Sequence, residues 1–188
     1  MEKAVKGNKM LEKFFPDLIL DFLLIGLPLL YCYGKNLNFF KEIKLQAIPI
    51  AELGRKTAHL LAALIVVSFA LSALLSVLQA NDLEKVRATI ELLRQKSMLI
   101  FVYLLIVRVV SEEIFFRGFL VNKIGKLGST ILFGLAHAFY GSIAEITGAL
   151  ILGYLLAHAY EKNQNLLPNI FAHIVYNWVV IALMVGGV

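Results

Sequence analysis

Three short polar stretches interrupt otherwise apolar runs of this chain: Ser111-Glu112-Glu113-Ile114-Phe115-Phe116-Arg117, Phe133-Gly134-Leu135-Ala136-His137 and His173-Ile174-Val175-Tyr176-Asn177. A charged side chain near the centre of a bilayer costs at least ~2.5 kcal/mol on insertion scales, so such residues mark a functional site by default. Glu113 and Arg117 are four apart with the acid on the N-terminal side, the favourable order for a helical ion pair. Glu112 then points about 100° away from Glu113 and faces the bundle interior. His173 and Asn177, also four apart, share one face of their helix. Together these residues are the minimum equipment for acyl hydrolysis without a covalent nucleophile. Glu112 and His137 can hold and deprotonate a water, while His173 and Asn177 donate hydrogen bonds to the developing oxyanion. The competing reading is an intramembrane ion-pair network of Arg108, Glu112, Glu113 and Arg117 that only holds helices together. Arg108 stands four residues before Glu112 and is within reach of it, so the state of that carboxylate stays open between pairing and burial.

The elements that must position these groups are membrane helices. The chain has 188 residues, of which 60% are hydrophobic and only 16% charged, and its mean hydropathy is +0.79. A soluble domain is roughly 45–50% apolar. The composition therefore points to an all-α, polytopic transmembrane bundle of about six helices, some short or broken. It is expected to form a single integral-membrane domain over residues 1–188, without room for a soluble one, and with the motif-bearing half at about 97–188. Spans are expected at about Phe14–Tyr33, Thr57–Leu78 and Ser97–Val121, each near the ~20 residues a bilayer requires. Between the first two, Lys35–Lys56 mixes apolar and charged residues and reads as an interfacial amphipathic segment. Asn81–Lys96 reads as a charged helix in water. Gly125 and Gly128 then break the pattern before a shorter helix from about Ser129 to Tyr140. Tyr140-Gly141 looks like a sharp turn, and helices follow over about Ser142–Tyr160 and from Asn169 to the C-terminus. Glu112 lies about 16 residues beyond Lys96, or ~24 Å along a helix, which places it deep in the membrane.

Charge and cysteine content exclude several functions. The formal charge of +5 is spread over the N-terminus and loops, which suits anionic lipid headgroups and, without a basic patch interleaved with aromatics, argues against nucleic acid. One cysteine, Cys32, permits neither an internal disulfide nor a thiolate metal cluster. Asp17 and Asp21 interrupt the first apolar run and no Ala-x-Ala-like site follows, so that span is expected to remain rather than be removed as a signal peptide. Lysine and arginine number four, five and four in the first three flanking segments, an even distribution that assigns no orientation.

In order and spacing, Glu-Glu-x-x-x-Arg, Phe-x-x-x-His and His-x-x-x-Asn on successive helices resemble the CAAX-processing and bacteriocin-processing (CPBP) intramembrane endopeptidases, which include the type II CAAX prenyl proteases. The resemblance covers Glu112 to Asn177. It implies that Glu112 activates water with His137, that His173 and Asn177 form the oxyanion site, and that Glu113 and Arg117 are mainly architectural. It also implies a catalytic cavity within the membrane, a peptide or protein substrate in or near it, and no cofactor. Small prokaryotic members, which this chain resembles in size, are associated with peptide processing, bacteriocin self-immunity and scaffolding, so a bacterial cell membrane is expected. The alternative to an enzyme is a non-catalytic immunity or scaffolding protein on the same fold.

The remaining polar residues have simpler readings. Ser142 and Glu145 fit a capping box at a helix start. Asp17 and Asp21, on one helix face, are expected to meet loop water or a cationic neighbour, since the Gly-x-Gly-Asp signature of presenilin-type proteases is absent from the sequence. His59 and His158 are expected at helix ends near the interface. The small pairs Ala144/Gly148 and Gly153/Ala157 allow close helix approach. Zinc held by Glu112, His137 and His173 is the minor alternative; no His-Glu-x-x-His helix is present, and Asn177 suits an oxyanion donor better than a ligand. No metal is therefore expected.

Overall fold

The fold follows from where apolar helices can bury their faces, and a computed structural model describes it for residues 2–96 and 98–186. Among the described residues all regular structure is helical. Four helices are long and apolar enough to cross a membrane: Phe15–Gly34 within α1 (Glu2–Gly34), α3 (Ile50–Val77), α8 (Ile143–Asn163) and Leu167–Met184 within α9 (Leu167–Gly186). Their outward faces expose large apolar residues such as Phe22, Val66 and Phe69, as contact with lipid requires. Two shorter helices flank α3: α2 (Phe39–Glu42) and the amphipathic α4 (Leu83–Lys96).

The motif-bearing run is not one regular helix. It proceeds through α5 (Met98–Tyr103), a π-helical stretch Leu104–Arg108, α6 (Val109–Glu112) and a second π-helical stretch Glu113–Val121. Ser97, the expected start of this span, lies outside the described residues. A π-stretch shifts backbone pairing from i+4 to i+5, turns side chains off the regular register, and is found disproportionately at functional sites. About six membrane helices were expected; among the described residues four qualify, and neither this interrupted run nor α7 (Asn122–His137) is among them. Within α7, Gly125 kinks the backbone at φ 73°, a left-handed conformation that favours glycine. Gly128 is helical, so the expected break is at the first of the two. The 3₁₀ turn Ala138–Tyr140 and Gly141, at φ 65°, form the sharp turn before α8.

Three apolar clusters hold these elements. Leu60 and Leu64 of α3 pack on Leu152 and Leu156 of α8 and Ala172 of α9. Leu24 of α1 joins Phe116, Phe133 and Ala149. Ile43, fully buried, meets Ile114, Val121 and Tyr160. This last cluster draws part of Lys35–Lys56, expected as an interfacial amphipathic segment, into the protein, while Leu37, Phe40 and Ile50 stay exposed. The single turn α2 forms there and α3 already begins at Ile50, while the link between them is drawn into the core: Leu166 N donates to the Lys44 carbonyl (3.0 Å) and the Asn165 amide to the Gln46 carbonyl (2.8 Å). Gly118 lets Ile43 approach, since a Cβ there would fall 2.8 Å from the Ile43 Cβ. On α8, Gly153 likewise admits Phe133 at 2.9 Å, while Gly148 has open space beside it.

The start of α8 is capped more strongly than a capping box would provide. Ser142 Oγ accepts from Glu145 N (3.2 Å), as the sequence suggested, but among the described residues no bond returns from the Glu145 carboxylate. Asp82 instead reaches across from the loop before α4, accepting from Ser142 Oγ (2.7 Å), Ile143 N (3.0 Å) and Ala144 N (2.9 Å). These donors, led by Ala144 N and Ser142 Oγ and aided by Lys85, hold the Asp82 carboxyl well below the usual carboxylate range. Because the folded value is depressed, the stabilisation is full above the unfolded value of about 3.9 and is lost as pH falls through the folded one. The melting-temperature difference between the protein and its Asp82→Asn variant is therefore expected to be constant from neutral pH to about 5 and to shrink below about 4. A thermal-melting series against pH checks it, and a difference that widens in acid would contradict the assignment.

Candidate active site

Glu112, His137, His173 and Asn177 all line one cavity of about 460 Å³ between the motif-bearing run, α7, α8 and α9. Leu83, Val86 and Ile90 of α4 close one side of it. The segment expected as a charged helix in water thus lays the apolar side chains of α4 over the cavity. Each of the four residues comes from one of the three polar stretches that stood out in the sequence.

Glu112 and Glu113 take opposite environments, as their adjacency predicted. Glu112 is half-buried and faces the cavity, and among the described residues no hydrogen bond or ion pair reaches it. Glu113 is 0% exposed and turned away into protein. Its Oε1 lies 3.0 Å from Arg117 Nη1, a charge contact out of hydrogen-bond alignment, and Arg117 is itself 1% exposed. The same carboxylate accepts from His173 Nδ1 (2.8 Å) and from the Asn169 amide (3.3 Å). Glu113 therefore does more than pair with Arg117: it fixes the ring of His173. Asn169, His173 and Asn177 recur every four residues along one face of α9, the spacing that could have disclosed this partner in the sequence.

The two histidines present different atoms to the cavity. His137 Nδ1 lies 2.8 Å from the Phe133 carbonyl, which can only accept, so Nδ1 carries the hydrogen and the neutral ring keeps its lone pair on Nε2. Ionised Glu113 is also only an acceptor, so His173 donates from Nδ1, and its Nε2 bears a hydrogen in the imidazolium form alone. Phe133 is the platform between them. Its ring centroid lies 4.4 Å from that of His137 and 6.4 Å from that of His173, and the Arg117 guanidinium sits over it at 4.1 Å. The sequence marked Phe133 only as part of a motif; its role depends on the approach that Gly153 permits.

Arg108 does not pair with Glu112. Its Nε donates to Asp21 Oδ1 (2.6 Å) and its Nη2 to the Asp17 carbonyl (2.9 Å) and Asp17 Oδ1 (3.2 Å). Asp17 and Asp21 thus meet a cationic neighbour, one of the two surroundings expected for them. Glu145, freed from the box, contributes a further carboxylate to the cavity wall. His59 and His158 are exposed and remote from it, His59 bonded to the Arg55 carbonyl (2.7 Å) and His158 stacked on Tyr154. Cys32 is buried.

Residues 94–179 match the family described as type II CAAX prenyl endopeptidase Rce1-like. Comparison with curated proteins gives no match, and comparison with solved structures gives none either. The family match encloses all three polar stretches and supports the CAAX-processing and bacteriocin-processing intramembrane endopeptidase family for this part of the chain.

Proposed function

We propose that the cavity hydrolyses a membrane-proximal peptide bond by direct attack of water, without a metal. The observation that supports this reading is that Glu112, His137, His173 and Asn177 line one cavity while Glu113 and Arg117 are sealed behind it. Glu112, with the His137 Nε2 lone pair, takes a proton from the water as its oxygen bonds to the substrate carbonyl carbon. The carbonyl electrons move to oxygen, where Asn177 and the Nε2 hydrogen of imidazolium His173 donate to the oxyanion. Glu113 accepts from Nδ1 and holds the ring in place. Collapse of the adduct breaks the carbon–nitrogen bond, and the leaving amine takes up the proton held by Glu112 and His137. The cavity volume falls within the ~300–1,000 Å³ usual for small-molecule sites.

The test is cleavage of a fluorogenic, membrane-anchored peptide library by the purified protein with and without a strong zinc chelator. Cleavage at an unchanged rate is expected. Loss on chelation with recovery on adding zinc would transfer water activation to a metal. No cleavage by the folded protein would move the cavity to the non-catalytic immunity or scaffolding reading.

A further inference from the structure

The match to the endopeptidase family begins at residue 94, so α1 lies outside it, yet α1 controls a charge beside the cavity. Arg108 ends the first π-stretch and Glu112 ends α6, four residues later along the same run. A cation and a carboxylate at that spacing pair readily on a helix, and in apolar surroundings they do so more strongly than in water. Both residues line the cavity. Here the guanidinium is instead drawn to α1, where two carboxylates share one cation. Asp21 is 3% exposed and receives the Arg108 Nε at 2.6 Å, while its second oxygen accepts from the Tyr103 hydroxyl at 2.8 Å. Asp17 takes Nη2 through both its carbonyl and its side chain. A structural tether needs one carboxylate per guanidinium; the second, with the tyrosine fixing the first, over-determines where Arg108 points.

We propose that Asp21 and Asp17 are positioning residues for Glu112: by holding Arg108 against α1 they keep it from capturing the Glu112 carboxylate, which stays available to the cavity. The inference rests on the hydrolytic reading of the cavity for its consequence, but its geometry can be tested without turnover. Losing the two aspartates frees Arg108 to swing onto Glu112, and removing Arg108 as well liberates Glu112 again. A simple tether predicts the reverse for that last step, since it severs α1 further.

The experiment labels Glu112 with dicyclohexylcarbodiimide, which modifies carboxyl groups in apolar surroundings, and reads the extent by mass spectrometry beside peptide cleavage. It is run on the protein, on Asp17→Asn/Asp21→Asn, and on that pair with Arg108→Gln. Labelling is expected to fall about tenfold in the paired variant, equivalent to about 1.4 kcal/mol of new pairing, and to return in the triple variant, with cleavage following the same course. Equal labelling in all three, or a triple variant no better than the pair, overturns the proposal whatever cleavage does. The expected labelling pattern without any cleavage leaves it standing and removes the proteolytic reading instead. If the paired variant fails to fold, Asp21→Asn alone, which retains Asp17, is read in the same way: lowered labelling restored by Arg108→Gln supports the proposal, and unchanged labelling overturns it.

Discussion

Glu113→Ala is expected to cost about 3–5 kcal/mol of stability, the usual penalty for removing one member of a buried ion pair. Arg117 would be left almost fully enclosed with its Nη1 and Nη2 already lacking hydrogen-bond partners among the described residues, and His173 would lose its acceptor. Against a total stability of about 5–15 kcal/mol, such a loss collapses the folded yield. Fluorescence-detected size exclusion and thermal melting in detergent measure it. Replacing both members with apolar residues, Glu113→Leu/Arg117→Leu, should recover much of the melting temperature, because no uncompensated charge remains. It should not recover cleavage, because His173 then has no carboxylate to fix its ring. A stable, well-folded Glu113→Ala protein would contradict the account of the buried pair.

Glu112→Gln is expected to behave in the opposite manner. Glutamine keeps the volume and one hydrogen-bonding oxygen, and no described residue depends on Glu112 for an ion pair, so melting should change little. Cleavage should fall by about 10²- to 10⁴-fold, the contribution of a positioned general base. Two adjacent glutamates thus give separable phenotypes, one in turnover and one in folding. This follows from their placement on opposite sides of the same run, one facing a cavity and one facing Arg117, His173 and Asn169.

That division was legible in the sequence because it depends on local spacing. Adjacent residues on a helix diverge, residues four apart converge, and apolar runs of about 20 residues span a bilayer. The contacts that escaped are those between distant segments. His173 meets Glu113 across 60 positions, and Arg108 meets Asp21 across 87. Local spacing left Arg108 open to Glu112; only the placement of α1 decided against it. The π-stretches around Glu112 were also invisible, because hydrophobic periodicity assumes a regular turn and these segments depart from it. Within Lys35–Lys56 the alternation of charged and apolar side chains marked an amphipathic segment but not the core site that Ile43 finds opposite Gly118. Ser142 and Glu145 matched a local capping rule, and the more effective cap, Asp82, came from a loop 60 residues earlier.

The central claim is that Glu112 is the base of a hydrolytic cavity, and the most direct measurement is the initial rate of membrane-anchored peptide cleavage by the purified protein beside its Glu112→Gln variant at matched folded concentration. The account predicts robust cleavage by the first and a loss of at least about 100-fold in the second with unchanged melting temperature. Cleavage by the folded Glu112→Gln protein at the parent rate would contradict it.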